Sequence, residues 1–105
     1  MTNLSSLLVG VCACIMAMPG TASAADAESG QRLAERWCTS CHAVSAAQKS
    51  STTEAPPFSE IASRPDFDAG VLALFLLHPH PKMPDMGLSR EAAADLAAFI
   101  GKQRQ

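Results

Sequence analysis

The sequence predicts an all-α domain built from about four helices. Apolar residues recur at helical spacing in several short segments, and no segment shows the apolar–polar alternation of a half-buried strand. Apolar residues make up 48% of the 105 residues and charged residues 17%, a composition that is typical of a folded chain. The net charge of −2 provides no basic field to hold nucleic acid. We therefore expect one small globular domain without a nucleic-acid partner.

The first 24 residues have the pattern of a secretory signal peptide. Residues 4–18 are largely apolar and uncharged, and they form a run that is too short to span a bilayer well. A proline, a glycine and a small-residue cleavage site follow. We therefore predict cleavage after Ala24 or Ala25, with residues 25–105 forming a single domain that is exported to the periplasm and has no membrane span.

Two alternatives remain open for this segment. Its amino-terminal end lacks the Lys or Arg that usually precedes the apolar run of a signal peptide. A retained membrane anchor, or a lipid attached at Cys12 or Cys14, would hold the domain at a membrane surface. The residues before these cysteines fit a lipid-attachment pattern poorly, so export with cleavage is the preferred interpretation.

The first helix is expected to start near Asp26 and to continue to about His42. Asp26 and the residues after it offer N-cap groups, and acidic residues suit the first turn of a helix. Leu33, Trp37 and Cys41 recur at i, i+4 and i+8. This spacing predicts a stripe that faces the core and any bound cofactor.

The end of this helix carries a Cys-x-x-Cys-His motif, formed by Cys38, Cys41 and His42. In an exported chain this motif is typical of covalent c-type haem attachment. Residues three apart share one helix face, so both thiols can add to the vinyl groups of one porphyrin while the adjacent imidazole reaches the iron. The motif predicts one haem c, bonded through Cys38 and Cys41 and ligated by His42. A domain of about 80 residues buries only a limited fraction of its surface, so a bound cofactor would also stabilise it.

Two haem-free interpretations of the motif remain. The cysteines could form a structural disulfide or a thioredoxin-type redox pair, but the latter needs a βαβ setting that the chain lacks. A zinc site could join the motif to His78 or His80. A cysteine and a histidine that are adjacent in sequence make an awkward tetrahedral pair, however. Haem attachment is therefore the preferred interpretation.

A short second helix is expected after residues 45–53, which are small or polar and which we interpret as an exposed loop without chemistry. Phe58 and Ile61 lie three apart and would share its buried side. A third helix, capped by Asp66 or Asp68, would end before the next proline. Its apolar run is too short to cross a membrane and is better suited to packing against a haem.

The last helix is expected to have Ser89 as its N-cap and Glu91 in its first turn, with Lys102 and Arg104 beyond its end. The helix dipole favours this order of charges. The expected apolar face consists of Ala92, Leu96, Phe99 and Ile100. No repeat or glycine-rich phosphate loop appears in the sequence, so nothing supports a nucleotide site.

Residues 78–87 contain three prolines, which forbid a regular helix and favour a stiff extended loop. Four of its side chains could bind iron on the face opposite His42: Met83, Met86, His78 and His80. Pro81 and Pro84 bracket Met83 and restrict its backbone, which lowers the entropy lost when its thioether is fixed. Met83 is therefore the preferred distal ligand, and the other three stay open.

Three parts of the chain together resemble a known family. The motif of residues 38–42, the Pro-Lys-Met-Pro segment of residues 81–84 and the final helix over residues 88–100 resemble the class I c-type cytochromes, small single-haem bacterial electron carriers. The resemblance covers essentially the whole predicted mature chain. It implies an all-α cytochrome c fold wrapped round the haem, with His42 as proximal ligand and Met83 as distal ligand.

The resemblance also implies two internal contacts. In this family a glycine of the first helix packs against an aromatic residue of the last, and Gly30 and Phe99 occupy the matching places. A proline carbonyl commonly accepts a hydrogen bond from the proximal imidazole, and Pro56 or Pro57 would supply it. Many relatives carry tyrosine where this chain has Phe99. This chain contains no tyrosine, so the position has no hydroxyl contact and is held by packing alone.

The predicted function is a monomeric electron carrier and not an enzyme, because two filled axial positions leave the iron no site for a substrate. One electron would pass through an exposed haem edge during brief encounters with redox protein partners. Charge alone suggests Arg64 or Lys82 as partners of the haem propionates. The alternatives are a haem sensor or haem-enzyme subunit with a labile sixth ligand, and a haem-free zinc or thiol-redox protein.

Overall fold

The structure, a computed structural model, describes residues 24–48, 55–78 and 81–105. Four helices occur in these ranges: α1 (Ala27–Trp37), α2 (Phe58–Ala62), α3 (Ala69–Leu76) and α4 (Arg90–Gly101). The described residues contain no β-strand, which confirms the all-α prediction. Apart from Ala24, the predicted signal peptide lies outside the described residues, as does His80.

Helix α1 starts where the sequence predicts. The Asp26 carboxylate is the N-cap and accepts hydrogen bonds from the Glu28 N–H at 2.9 Å and from the Ser29 hydroxyl at 2.7 Å. The bond from the Ser29 side chain is the main reason that the pKa of Asp26 lies below its usual value. The bond from the Glu28 N–H satisfies one of the main-chain donors that the first turn of a helix leaves without a partner.

Helix α1 ends at Trp37, earlier than the expected end near His42, and Cys38 is its C-cap. The Thr39 hydroxyl donates to the carbonyl of Glu35 at 3.2 Å. That carbonyl is the one to which the Thr39 N–H would donate in a continued helix, so the side chain competes with the helical bond. The Cys-x-x-Cys-His motif therefore lies in a turn that follows α1.

The buried positions of α1 and its cap are all small: Gly30, Ala34 and Cys38. Of the predicted stripe, Leu33 is half-buried and contacts the core, but Trp37 is 56% exposed and Cys41 is exposed. Trp37 and Cys41 instead line a cavity beside α1, which agrees with the prediction of a stripe that faces the core and any bound cofactor. The side of α1 that faces another helix carries small residues, whereas the larger side chains of α1 lie on its other sides.

Helix α4 contacts each of the other three helices. At its crossing with α1, a Cβ on Gly30 would meet the main chain of Asp95 and lie 2.9 Å from the Phe99 Cβ. Only glycine allows this approach, and the expected contact of Gly30 with Phe99 is confirmed. Asp95 adds a second link, because its buried carboxylate accepts a hydrogen bond from the Asp26 N–H at 2.7 Å.

The hydrophobic core lies between α4 and the other elements. Its buried members are Ala34, Cys38, Val44, Phe58, Ala62, Leu96, Phe99 and Ile100. The rings of Phe58 and Phe99 meet edge to face with centroids 6.3 Å apart, a favoured aromatic geometry. Ile61 packs against the core from the partly buried side of α2, as its spacing from Phe58 predicts.

The last two helices have the predicted N-caps. Asp68, the second of the two candidates, accepts from the Val71 N–H at 2.9 Å, and Ser89 accepts from the Ala92 N–H at 3.0 Å. Helix α3 is apolar yet has no buried residue. Among the described residues, no helix has both the length and the apolar character needed to cross a membrane.

The close crossing of α1 and α4 predicts the effect of Gly30→Ala. The added methyl group would force the helices apart, and we expect a loss of about 1–3 kcal/mol in the free energy of unfolding. Denaturant titration of the haem-loaded protein measures this loss. Gln31→Ala, at a neighbouring exposed position, is the control and should change stability by less than about 0.5 kcal/mol. Equal stability of the two variants would contradict the close crossing.

Candidate haem-binding site

A cavity of about 530 Å³ lies between the end of α1, the three later helices and the loop around Met83. Its volume falls in the range of about 300–1,000 Å³ that is typical of small-molecule and cofactor sites. Its wall is largely apolar, and Leu96 and Ile100 of α4 contribute to it. Nearly all the side chains proposed from the sequence to hold a haem line this cavity.

The Cys-x-x-Cys-His turn forms one wall of the cavity, since Cys38, Cys41 and His42 all line it. The N–H groups of Cys41 and His42 both donate to the Cys38 carbonyl, at 3.2 and 2.8 Å. This shared acceptor closes a tight turn after α1. The turn brings both sulfurs and the imidazole to one side, which is the arrangement that attachment to a single porphyrin requires.

The chemistry of Cys38 argues against a thiol-redox pair. Burial raises the pKa of its thiol to about 11, and the charge of Cys41 adds to the rise. Redox-active cysteines have lowered pKa values, because the thiolate is the reactive form. The thiol of Cys38 therefore lacks the lowered pKa that a redox-active cysteine needs.

The structure gives no support to a zinc site built from the motif and His78. Within the three described ranges, no group of three or more His, Cys, Asp or Glu side chains is arranged to hold a metal ion. The exposed His78 ring instead donates from Nδ1 to the Leu74 carbonyl at 2.7 Å and so caps the end of α3.

His42 is held by the carbonyl of Pro56, which lies 2.7 Å from its Nδ1. A carbonyl oxygen can only accept, so Nδ1 must carry a proton, and in the neutral ring Nε2 then offers a lone pair. The Phe58 ring lies beside the imidazole, with centroids 5.2 Å apart. Of the two prolines expected from the resemblance, the structure thus selects Pro56. This tautomer and support are typical of an imidazole that binds a metal.

The side chain of Gln48 spans the same turn and was missed by the sequence analysis. Its Oε1 accepts from the Val44 N–H at 2.9 Å, and its Nε2 donates to the carbonyls of His42 at 3.0 Å and Thr39 at 3.3 Å. The interpretation of residues 45–53 as an exposed loop without chemistry did not anticipate these bonds of Gln48, and residues 49–53 lie outside the described residues. Nothing local to a polar stretch shows that one of its amides folds back onto a motif six residues earlier.

Two of the candidate sulfur ligands are part of the cavity wall. Met83 and Met86 both line it, and both are half-buried. His78 is not among the lining residues, and His80 lies outside the described residues. The structure thus brings together the His42 imidazole and two of the four candidate distal ligands.

Helix α3 supplies an apolar wall of the cavity. Its lining side chains are Val71, Leu72, Phe75 and Leu76. Val71 is 66% exposed and Phe75 is 51% exposed in the chain alone. Burying such side chains under a flat apolar ring would be favourable, by about 25 cal/mol for each Å² removed from water. The residues present therefore fit a haem.

Charged side chains stand at the edge of the cavity. Arg64 and Lys82 are both exposed and both line it, alongside the acidic residues Asp66 and Asp68. The structure thus places both cations where they could meet propionates at the rim. Which of them does so stays a prediction.

Known proteins match the chain over the region that builds this cavity. Residues 25–100 match the family described as cytochrome c oxidase, cbb3-type, subunit III. The chain is 48% identical over 99 residues to cytochrome c-552 of Bradyrhizobium diazoefficiens, a match that covers 92% of this chain and 95% of that protein. No solved structure matches at a comparable level.

The exposed apolar wall of α3 predicts different effects for two neighbouring residues. Phe75 lines the cavity and Leu74 does not, although they are 51% and 60% exposed. In the haem-loaded protein, Phe75→Ser should lose about 3 kcal/mol of unfolding free energy, because its ring is covered. Leu74→Ser, the control, should lose less than about 1 kcal/mol. Equal losses in denaturant titrations would show that the haem does not cover this wall.

Proposed function

The chain belongs to the c-type cytochromes, and we propose that it is a soluble, exported carrier whose single haem has His42 and Met83 as axial ligands. As the family indicates, the cofactor is covalent haem c and the protein is an electron carrier, not an enzyme. The proposal rests chiefly on the hydrogen bond from His42 Nδ1 to the Pro56 carbonyl, which leaves Nε2 available on the wall of the cavity.

The proposed roles of the residues follow from their places in the cavity. When bound, haem c supplies an iron that alternates between ferric and ferrous states and so carries one electron. Cys38 and Cys41 hold the porphyrin through thioether bonds, and Pro56 keeps the His42 ring in one tautomer and orientation. The apolar side chains of α3 and α4 exclude water from the iron, which helps to set its reduction potential.

Met83 is the proposed distal ligand, and Met86 is the alternative. Both thioethers line the cavity, so their position there does not separate them. Met83 lies between Pro81 and Pro84, and two fixed φ angles reduce the entropy that ligation costs. A thioether is a weaker donor than a second imidazole and favours ferrous iron, so we expect a raised potential relative to a bis-histidine haem.

The proposed domain boundary places the signal peptide at residues 1–24 and the haem domain at residues 25–105. The family match begins at residue 25, and the N-cap of α1 is Asp26. A leader that ends at Ala24 would thus be removed without loss of any described helix. Export is also the setting in which c-type haem is attached, so the location and the cofactor support each other. We propose the periplasm as the site of action and a monomer as the working form.

Exchange of the two methionines tests the distal ligand. Met83→Ala should abolish the weak red-region absorption of the ferric iron–methionine bond and lower the reduction potential, since water or an added ligand replaces the thioether. Met86→Ala is the matched control, with the same side chain removed from the same cavity wall, and should keep both properties. The reverse result, seen in absorption spectra and redox titrations, would identify Met86 as the ligand.

Mass spectrometry of the exported protein tests export and attachment together. We expect the mass of residues 25–105 plus one haem, with Ala25 at the amino terminus. Cys38→Ala should lose one thioether bond, and the Cys38→Ala, Cys41→Ala double variant should lose covalent haem altogether. A mass equal to that of the polypeptide alone would contradict the proposal. Ready binding of carbon monoxide by the wild-type protein would instead favour a haem with a labile sixth ligand.

A further inference from the structure

We infer that Gln48 is a positioning residue for the proximal ligand, holding the main chain of His42 while Pro56 holds its ring. This inference rests on the proposed function, because it takes His42 as the iron ligand. Gln48 lies six residues after His42 and belongs to neither the Cys-x-x-Cys-His motif nor the cavity wall. Its action would therefore reach the iron only through the turn to which it is bonded.

The amide of Gln48 makes three hydrogen bonds to the main chain of residues 39–44. Oε1 accepts from the Val44 N–H at 2.9 Å, and Nε2 donates to the His42 carbonyl at 3.0 Å and to the Thr39 carbonyl at 3.3 Å. Thr39 lies inside the motif and Val44 lies beyond it. One half-buried side chain therefore fixes both ends of the turn and the ligand residue between them.

The three main-chain groups bonded to Gln48 require an amide at this position, held in one orientation. Two of the partner groups are carbonyls, which need a donor, and the third is an N–H, which needs an acceptor. A carboxylate at this position could accept from Val44 but would face two carbonyl oxygens without a proton to offer. Glutamine therefore fits here in a way that glutamate, of nearly the same shape, does not.

His42 is consequently held at three points. Its N–H donates to the Cys38 carbonyl at 2.8 Å, its carbonyl accepts from Gln48 at 3.0 Å, and its ring Nδ1 donates to Pro56 at 2.7 Å. Two of these three partners are main-chain carbonyls, which substitution does not remove. Among the described residues, Gln48 is the side chain that hydrogen-bonds to His42, so its substitution alters how His42 is held.

Loss of the Gln48 bonds should loosen the main chain of His42, and the bond from its ring to Pro56 would weaken because the ring moves with that main chain. The imidazole plane would then take more than one orientation about the iron–nitrogen axis. Outer groups that orient a ligand commonly change the properties of the metal they surround. The orientation of axial ligands determines the g-values of a low-spin ferric haem, so electron paramagnetic resonance reports it directly.

The test compares Gln48→Ala with Gln103→Ala in the haem-loaded protein. Gln103 is a matched control, because its Nε2 also donates to a main-chain carbonyl, that of Phe99, at 3.2 Å, but at the far end of α4. We expect Gln48→Ala to show displaced g-values or a second ferric species, together with a shifted reduction potential. Gln103→Ala should keep the wild-type spectrum and potential even if it loses a similar amount of stability.

A second pair of variants covers the case in which Gln48→Ala does not accumulate. Gln48→Met keeps the length of the side chain without its hydrogen bonds, and Gln48→Glu keeps the acceptor alone. Both should show the altered spectrum. Wild-type g-values in all Gln48 variants, or equal changes in the Gln103 variant, would overturn the inference. A wild-type protein without a low-spin ferric haem signal would instead overturn the proposed function, so the two failures are distinguishable.

Discussion

The close approach of α1 and α4 at Gly30 is the constraint on which the rest of the structure depends. Because no side chain separates the helices there, the main chain of Asp95 and the Phe99 side chain lie directly against α1. The Asp26 N–H then reaches the buried Asp95 carboxylate, so the first turn of α1 is tied to the middle of α4. The end of α1 is thereby fixed over the core, and the turn that follows it opens into the cavity.

Main-chain groups provide most of the hydrogen bonds that hold the proposed ligands. The Cys38 carbonyl closes the motif turn, and the Pro56 carbonyl fixes the tautomer of His42. A proline is well suited to that second role, because its ring fixes φ and its carbonyl remains available. Such contacts survive most substitutions, which leaves the identity of the ligands and the apolar wall as the features that the sequence must specify.

Local patterns in the sequence predicted the four helices, the caps at Asp26 and Ser89 and the haem motif, because each depends on residues close together in the chain. Two features were not predictable in this way. Periodicity shows which residues share a face but not how near the next helix lies, so the predicted stripe through Leu33 did not include the fully buried Ala34. The bonds of Gln48 depend on a loop that folds back onto the motif, and no short-range rule describes that path.

The exposed apolar helix α3 affects how the protein folds and acquires its cofactor. None of its residues is fully buried, and within the described residues only Leu72 and Leu76 of this helix pack against the core, so the polypeptide recovers little of the cost of ordering it. Completion of the fold and acquisition of the porphyrin are therefore thermodynamically coupled, as for other domains whose ligand is part of their core. Chains without the porphyrin would expose this apolar surface, a feature that favours aggregation and proteolysis.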